Sequence, residues 1–133
     1  AEGGLDIVLN PFQNEGLTGA LKIQFNEGYL TTQTDLRDGR WHHIVVNFMK
    51  GEQADVSVHA AVYVDGVLEK VSGFSKSRIK MKAGLDEVLH LGTNADNGQS
   101  SFGGDIDELW LFEQALLPEE VMRLRDNNSP FNP

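Results

Sequence analysis

Apolar and polar residues alternate along much of the chain, in short runs separated by glycine, asparagine and aspartate. In "GALKIQFN" (Gly19–Asn26), Leu21, Ile23 and Phe25 share one face, and Lys22 and Gln24 take the other. A period of two is the mark of a strand with one buried face. "LDIVLN" (Leu5–Asn10) reads as a strand ended by Pro11, and "NEG" (Asn26–Gly28) as a tight turn into "YLTTQT". "RDG" (Arg37–Gly39) turns the chain into "RWHHIVVNFM". "VSVHAAVYV" places Val56, Val58, Ala60, Val62 and Val64 on one face. The Asp65-Gly66 pair that follows is the strongest hairpin signal, because both residues tolerate the positive φ of a type I′ turn. "VLEKV" returns from that turn, and "EVLHLGT" and "SFGGDIDELWLF" (Ser101–Phe112) supply the last predicted strands. One stretch breaks the pattern. In "LPEEVMRLRD", Pro118 suits a first helical turn, Glu119 and Glu120 favour the helix N-terminus, and Val121, Met122 and Leu124 form an apolar side. The pattern predicts an all-β protein, a two-sheet antiparallel β-sandwich with one short C-terminal helix.

Composition narrows what such a sandwich could do. A chain of 133 residues is expected to form one domain, here residues 1–126 with a polar tail at 127–133. Cysteine is absent, which excludes disulfides, thiolate metal sites and a cysteine nucleophile. The net charge of −9 and the lack of basic clusters argue against nucleic acid and anionic membranes as partners. No apolar run approaches the roughly 20 residues of a membrane-spanning helix, so no membrane insertion is expected. The chain reads as a mature protein or an excised domain.

Four stretches together resemble the laminin-G-like family, within the concanavalin A-like lectin/glucanase jelly-roll superfamily. They are "DGRWHHIVV" (Asp38–Val46), "VYVDGVLEK" (Val62–Lys70), "LHLGTN" (Leu89–Asn94) and "FGGDIDELWLFEQALLPEEVMRL" (Phe102–Leu124). Order and spacing both match, and that conjunction is more specific than any single motif. The first 35 residues match only as generic strands. The resemblance implies two sheets packed face to face, and a first strand or two missing from this chain. It also implies a non-catalytic binding or adhesion module on an exported or surface protein, extracellular or periplasmic. Its ligand would be a carbohydrate or another protein, and many members carry calcium at the sandwich rim. The alternatives are a structural accessory domain of a larger multidomain protein with no free ligand, or a glycoside-active enzyme.

The enzyme reading is tested by the carboxylates of Ser101–Phe112. A retaining glycosidase needs two carboxyls roughly 5 Å apart. Enzymes of the superfamily carry Glu-x-Asp-x-Glu or Glu-x-Asp-x-x-Glu on a strand. Here the run Asp105-Ile106-Asp107-Glu108-Leu109-Trp110 lacks the outer glutamate, so no catalytic residue is assigned. Alternation places Asp107 with Leu109 and Leu111 on the core face, as a structural acid bonded to loop amides or to His42. Glu108 belongs to the same structural pair, with Ile106, Trp110 and Phe112 on the opposite face.

Calcium wants about six to eight oxygen ligands. The stretch Thr93–Asp105 offers Asn94, Asp96, Asn97 and Asp105, of which Asp96 and Asp105 are the candidate metal ligands. The same stretch also reads as a solvated turn. His42 and His43 are neighbours on one strand and point to opposite faces, so they do not share a metal. His42 aligns with Ile44, Val46 and Phe48 as a core histidine, and by the resemblance it fills the family's Trp-His position. Trp41 is expected to be structural. Trp110 is the candidate for stacking on a sugar, with packing beneath the helix as the alternative. The rim loops at Asp65-Gly66 and Asn94–Ser101, the latter through Asn94, Asp96 and Asn97, are the other expected ligand contacts.

Overall fold

The computed structural model describes residues 5–49, 53–79, 91, 103–112 and 114–127. Seven strands are described: β1 (Leu5–Leu9), β2 (Leu21–Phe25), β3 (Gly28–Thr32), β4 (Ile44–Phe48), β5 (Ala60–Val64), β6 (Val67–Leu68) and β7 (Val71–Ser75). They form two antiparallel sheets, one ordered β1-β2-β3-β7 and the other β4-β5-β6. A helix, α1 (Pro118–Asn127), follows.

Register sets the faces. Leu5, Ile7 and Leu9 pair with Phe25, Ile23 and Leu21, and Ile23 pairs with Leu30. Except for Ile7, which is exposed, these side chains point toward the second sheet, where Val62 and Val64 meet them together with Val56 from the preceding turn. Ile44, Val46 and Phe48 close the same core from β4. The odd positions of the second sheet look outward and are not left bare. Val45 and Tyr63 take the helix, packing against Leu116, Val121 and Leu124. Asn47 fixes the approach to that helix: its side-chain amide donates to the Leu116 carbonyl at 2.9 Å and accepts from the Leu116 amide at 3.1 Å.

Both short hairpins follow their turn residues. Asp65 and Gly66 have φ of 51° and 84°, the two positive values a type I′ turn requires. Asn26, with φ 56°, turns β2 into β3. A side chain at position 66 would also meet Met122 Sδ at 2.6 Å, so glycine there serves the turn and the helix seat at once.

The structure corrects two expected strands. Val58 lies in a turn and is exposed, because β5 begins only at Ala60. Asp55 organises that turn: its carboxylate accepts from the Ser57 amide and hydroxyl, and its carbonyl accepts from the Val58 and His59 amides. The expected strand at Ser101–Phe112 is not a strand over residues 103–112. Glu108 has φ +52°, a left-handed conformation that turns the backbone out of an extended line. The "EVLHLGT" strand falls almost wholly outside the described residues.

The outer face of the first sheet is covered by its own loop. Asn10, buried, donates from its side chain to the Phe12 and Leu17 carbonyls and accepts from the Phe12 amide. This closes the 11–19 loop over β2 and β3. Lys22 lies beneath it at 2% exposure, paired with Glu15 at 2.6 Å and facing the rings of Phe12 and Tyr29 at 5.2 and 5.7 Å.

Candidate functional site

At one end of the sandwich the chain enters β4 through Asp38–His43, beside the β5–β6 hairpin. His42 bridges two carboxylates there. Its Nδ1 is 2.8 Å from Asp65 Oδ2, and its Nε2 is 2.9 and 3.0 Å from the two Asp38 oxygens. Asp65 is held on several sides. Its Oδ1 accepts from the His43 amide, its own amide donates to the His43 carbonyl, and its carbonyl accepts from Arg125 Nη1 at 2.6 Å. One aspartate thus joins the hairpin, β4 and α1.

These contacts set the charges. Hydrogen bonds to Asp65 first and Asp38 second hold the His42 imidazole above its ordinary pKa. The His42 bond holds the Asp38 carboxyl below the usual carboxylate value. Burial pushes Asp65 up, but the His42 and His43 donors together outweigh it and keep it low. His43 behaves oppositely to His42, because burial favours its neutral form.

His42 is partly buried with both ring nitrogens partnered, and its partners differ from those predicted. It bonds Asp38 and Asp65 rather than Asp107. Asp107 and Glu108, expected to be structural, are exposed, and so are Leu109 and Leu111, expected in the core. The left-handed turn at Glu108 ends the alternation that would have carried all four into the sheet. Trp41, also expected to be structural, is 68% exposed, because β4 starts only at Ile44 and Trp41 sits in the turn ahead of it. Trp110 is 48% exposed and lies parallel to the Phe112 ring, with centroids 6.0 Å apart. Phe112 leans on the Val45–Leu116 cluster, so the stack is anchored on one side and open on the other.

Two other constellations invite a chemical reading. Ser57, His59 and Asp55 share a turn, but the Ser57 hydroxyl donates to Asp55 Oδ1 at 2.6 Å, and His59 Nδ1 accepts from the Asp55 amide. A nucleophilic triad needs the serine proton to face the histidine, and here it faces the acid. Asp105 is exposed, and among the described residues no group of three or more His, Asp or Glu is placed to hold a metal ion. Asn94, Asp96 and Asn97 lie outside the described residues. What sequence reasoning missed is the whole Asp38–His42–Asp65 bridge. The signal was available in "DGRWHH": a turn that ends in glycine folds an acid four residues ahead back onto the histidine.

No helix among the described residues is long and apolar enough to cross a membrane. Comparison with curated proteins and with solved structures gave no match. The laminin G family model described as "Concanavalin A-like lectin/glucanases superfamily" matches residues 6–122, which takes in both sheets and the start of the helix. Domains of this kind are generally non-catalytic binding modules. The two-sheet antiparallel architecture and the span of the match lead to one statement: the chain belongs to the laminin G-like family of the concanavalin A-like lectin/glucanase superfamily.

Proposed function

We propose that the chain is a non-catalytic binding module of an exported or cell-surface protein, and that its ligand is a carbohydrate or another protein. The observation that carries this reading is the placement of tryptophan. The chain has two, and both are exposed, whereas among the described residues the buried core is made of aliphatic residues and Phe25. Large aromatics usually dominate cores, and tryptophan at a surface is the residue most enriched in binding hot spots. The Trp110–Phe112 stack offers a flat apolar face of the kind that covers a pyranose ring or a protein side chain.

A second reading, a domain that packs against neighbours and takes no free ligand, draws on the exposed Ile106, Leu109 and Leu111 around Trp110. Calcium stays a proposal on ligand chemistry alone, through Asp105 and Asp96. A melting temperature indifferent to calcium and to chelator would remove it.

Intrinsic fluorescence titrated with a panel of purified glycans separates the two main readings. A binding module shows a saturable change with some member of the panel. Trp110→Ala then weakens that binding by about 2 kcal/mol, roughly thirtyfold. No response to the glycans, with tight association to a flanking domain expressed separately, would establish the packing role instead.

A further inference from the structure

The His42 bridge has a consequence of its own. An ionised carboxylate only accepts hydrogen bonds, and both carboxylates here are held in the ionised form. Each ring nitrogen of His42 faces one of them, so both nitrogens must carry protons and the bridge fits an imidazolium. A neutral imidazole has a single N–H, and its other nitrogen would aim a lone pair at an oxygen about 2.9 Å away. One of the two contacts must then open.

The surroundings decide which. Asp65 is fixed by its bonds with His43 through both main chain and side chain, and by Arg125 from α1. Besides bonding His42, the Asp38 carboxylate accepts from the Arg40 amide, within its own turn. Asp38 is the side that lets go. Its turn carries Trp41. We propose that Asp38, His42 and Asp65 form a pH-operated clasp, which ties the Trp41 turn to the β5–β6 hairpin when His42 is charged and frees the turn when His42 is neutral. The clasp does not depend on what Trp41 binds, because it is read on the protein alone.

The sign follows from the direction of each shift. The pKa of His42 is raised above 6.5, so its contribution is fully present below 6.5 and is lost as pH rises through the raised value. The carboxylates are lowered below 3.8, so theirs is present above 3.8 and is lost as pH falls through the lowered values. The clasp is closed between those limits. Other charged or titratable groups lie around it: Arg40 in the turn, His43 just ahead of β4, and Arg125 and Asp126 on α1. His43 opposes His42, since its neutral form is favoured and its contribution is lost as pH falls below 6.5 through its lowered value. Global stability therefore mixes two opposing histidine slopes, and the test must be residue-specific.

NMR of the full isotope-labelled chain provides one. The His42 ring nitrogens should titrate with a midpoint above 6.5. The amide protection factors of Arg40 and its neighbours in the turn should fall several-fold across that midpoint, while those of β4 and β5 hold. Asp38→Asn should lower the His42 midpoint and leave the turn unprotected on both sides of it. Asp65→Asn removes a hub and could unfold the end of the sandwich, so Asp38→Asn is the deciding variant. A His42 midpoint at or below 6.5, or turn protection unchanged across the midpoint, overturns the clasp.

Discussion

Residues 21–25 and 105–112 carry the same kind of message in sequence and meet opposite fates in the structure. Both read as strands with one inward face, Leu21, Ile23 and Phe25 in the first and Asp107, Leu109 and Leu111 in the second. β2 is paired on both edges and its apolar face is wholly buried, with Ile23 and Phe25 fully enclosed. Residues 105–112 belong to no described sheet, and Leu111 is 77% exposed. Alternation says which side chains would share a face, but it does not supply the neighbouring strand. β2 has hairpin turns or short loops delivering a partner to each edge, whereas Glu108 takes a left-handed turn in the middle of its run.

The widest gap between the two regions should appear in stability. Phe25→Ala should cost about 3–5 kcal/mol, the usual loss for a buried aromatic whose site cannot collapse. Leu111→Ala should change stability by no more than about 0.5 kcal/mol, as an exposed substitution does. Urea midpoints at constant slope measure both. Equal losses would mean that residues 105–112 pack in the core as their alternation suggests.

A smaller contrast sits on the polar positions. Lys22 looks toward the surface by alternation, and it does lie on the outer face of its sheet. It is nonetheless buried, because the 11–19 loop folds onto that face and brings Glu15 and Phe12 over it. Removing one partner of a buried ion pair strands the other. Glu15→Ala should therefore cost up to about 3 kcal/mol, the low end of that effect because Glu15 keeps some contact with water. Lys22→Met, which removes the charge and keeps the packing, should stay within about 1 kcal/mol. If Glu15→Ala were harmless, the loop would not be held down by the pair, and thermal melting of the two variants would show it.

The two sheets and both hairpin turns were legible because they depend on local signals: period two, Asp-Gly, and Asn at a left-handed position. The helix was legible from Pro118 and its apolar side. What covers each face was not. Nothing local in "ALKIQF" reveals that a loop closed by Asn10 will bury Lys22. Nothing in "IVVNF" shows that Asn47 will grip the Leu116 backbone 69 residues away. Of the Asp38–His42–Asp65 bridge, only the place of Asp65 in a rim turn was legible. The Asp65-Gly66 turn was expected at the rim, but the exposed rim position was read as a ligand contact when its carboxylate is occupied by the chain's own histidine.

Asp107 gives the sharpest comparison with Lys22, since each reverses its expected burial. A carboxylate pointing into the core would have to be hydrogen-bonded, and losing it would cost a few kcal/mol. The described Asp107 is exposed, so water already solvates it. Asp107→Asn keeps the shape and removes the charge. The expected change is within about 0.5 kcal/mol, with no shift in the His42 titration, because the histidine's two acceptors lie elsewhere. A large loss would reinstate residues 105–112 as a buried closing strand. A shift in His42 alone would instead place Asp107 near the end of the sandwich without burying it. The two readouts in one variant therefore separate the fold of this segment from its neighbourhood.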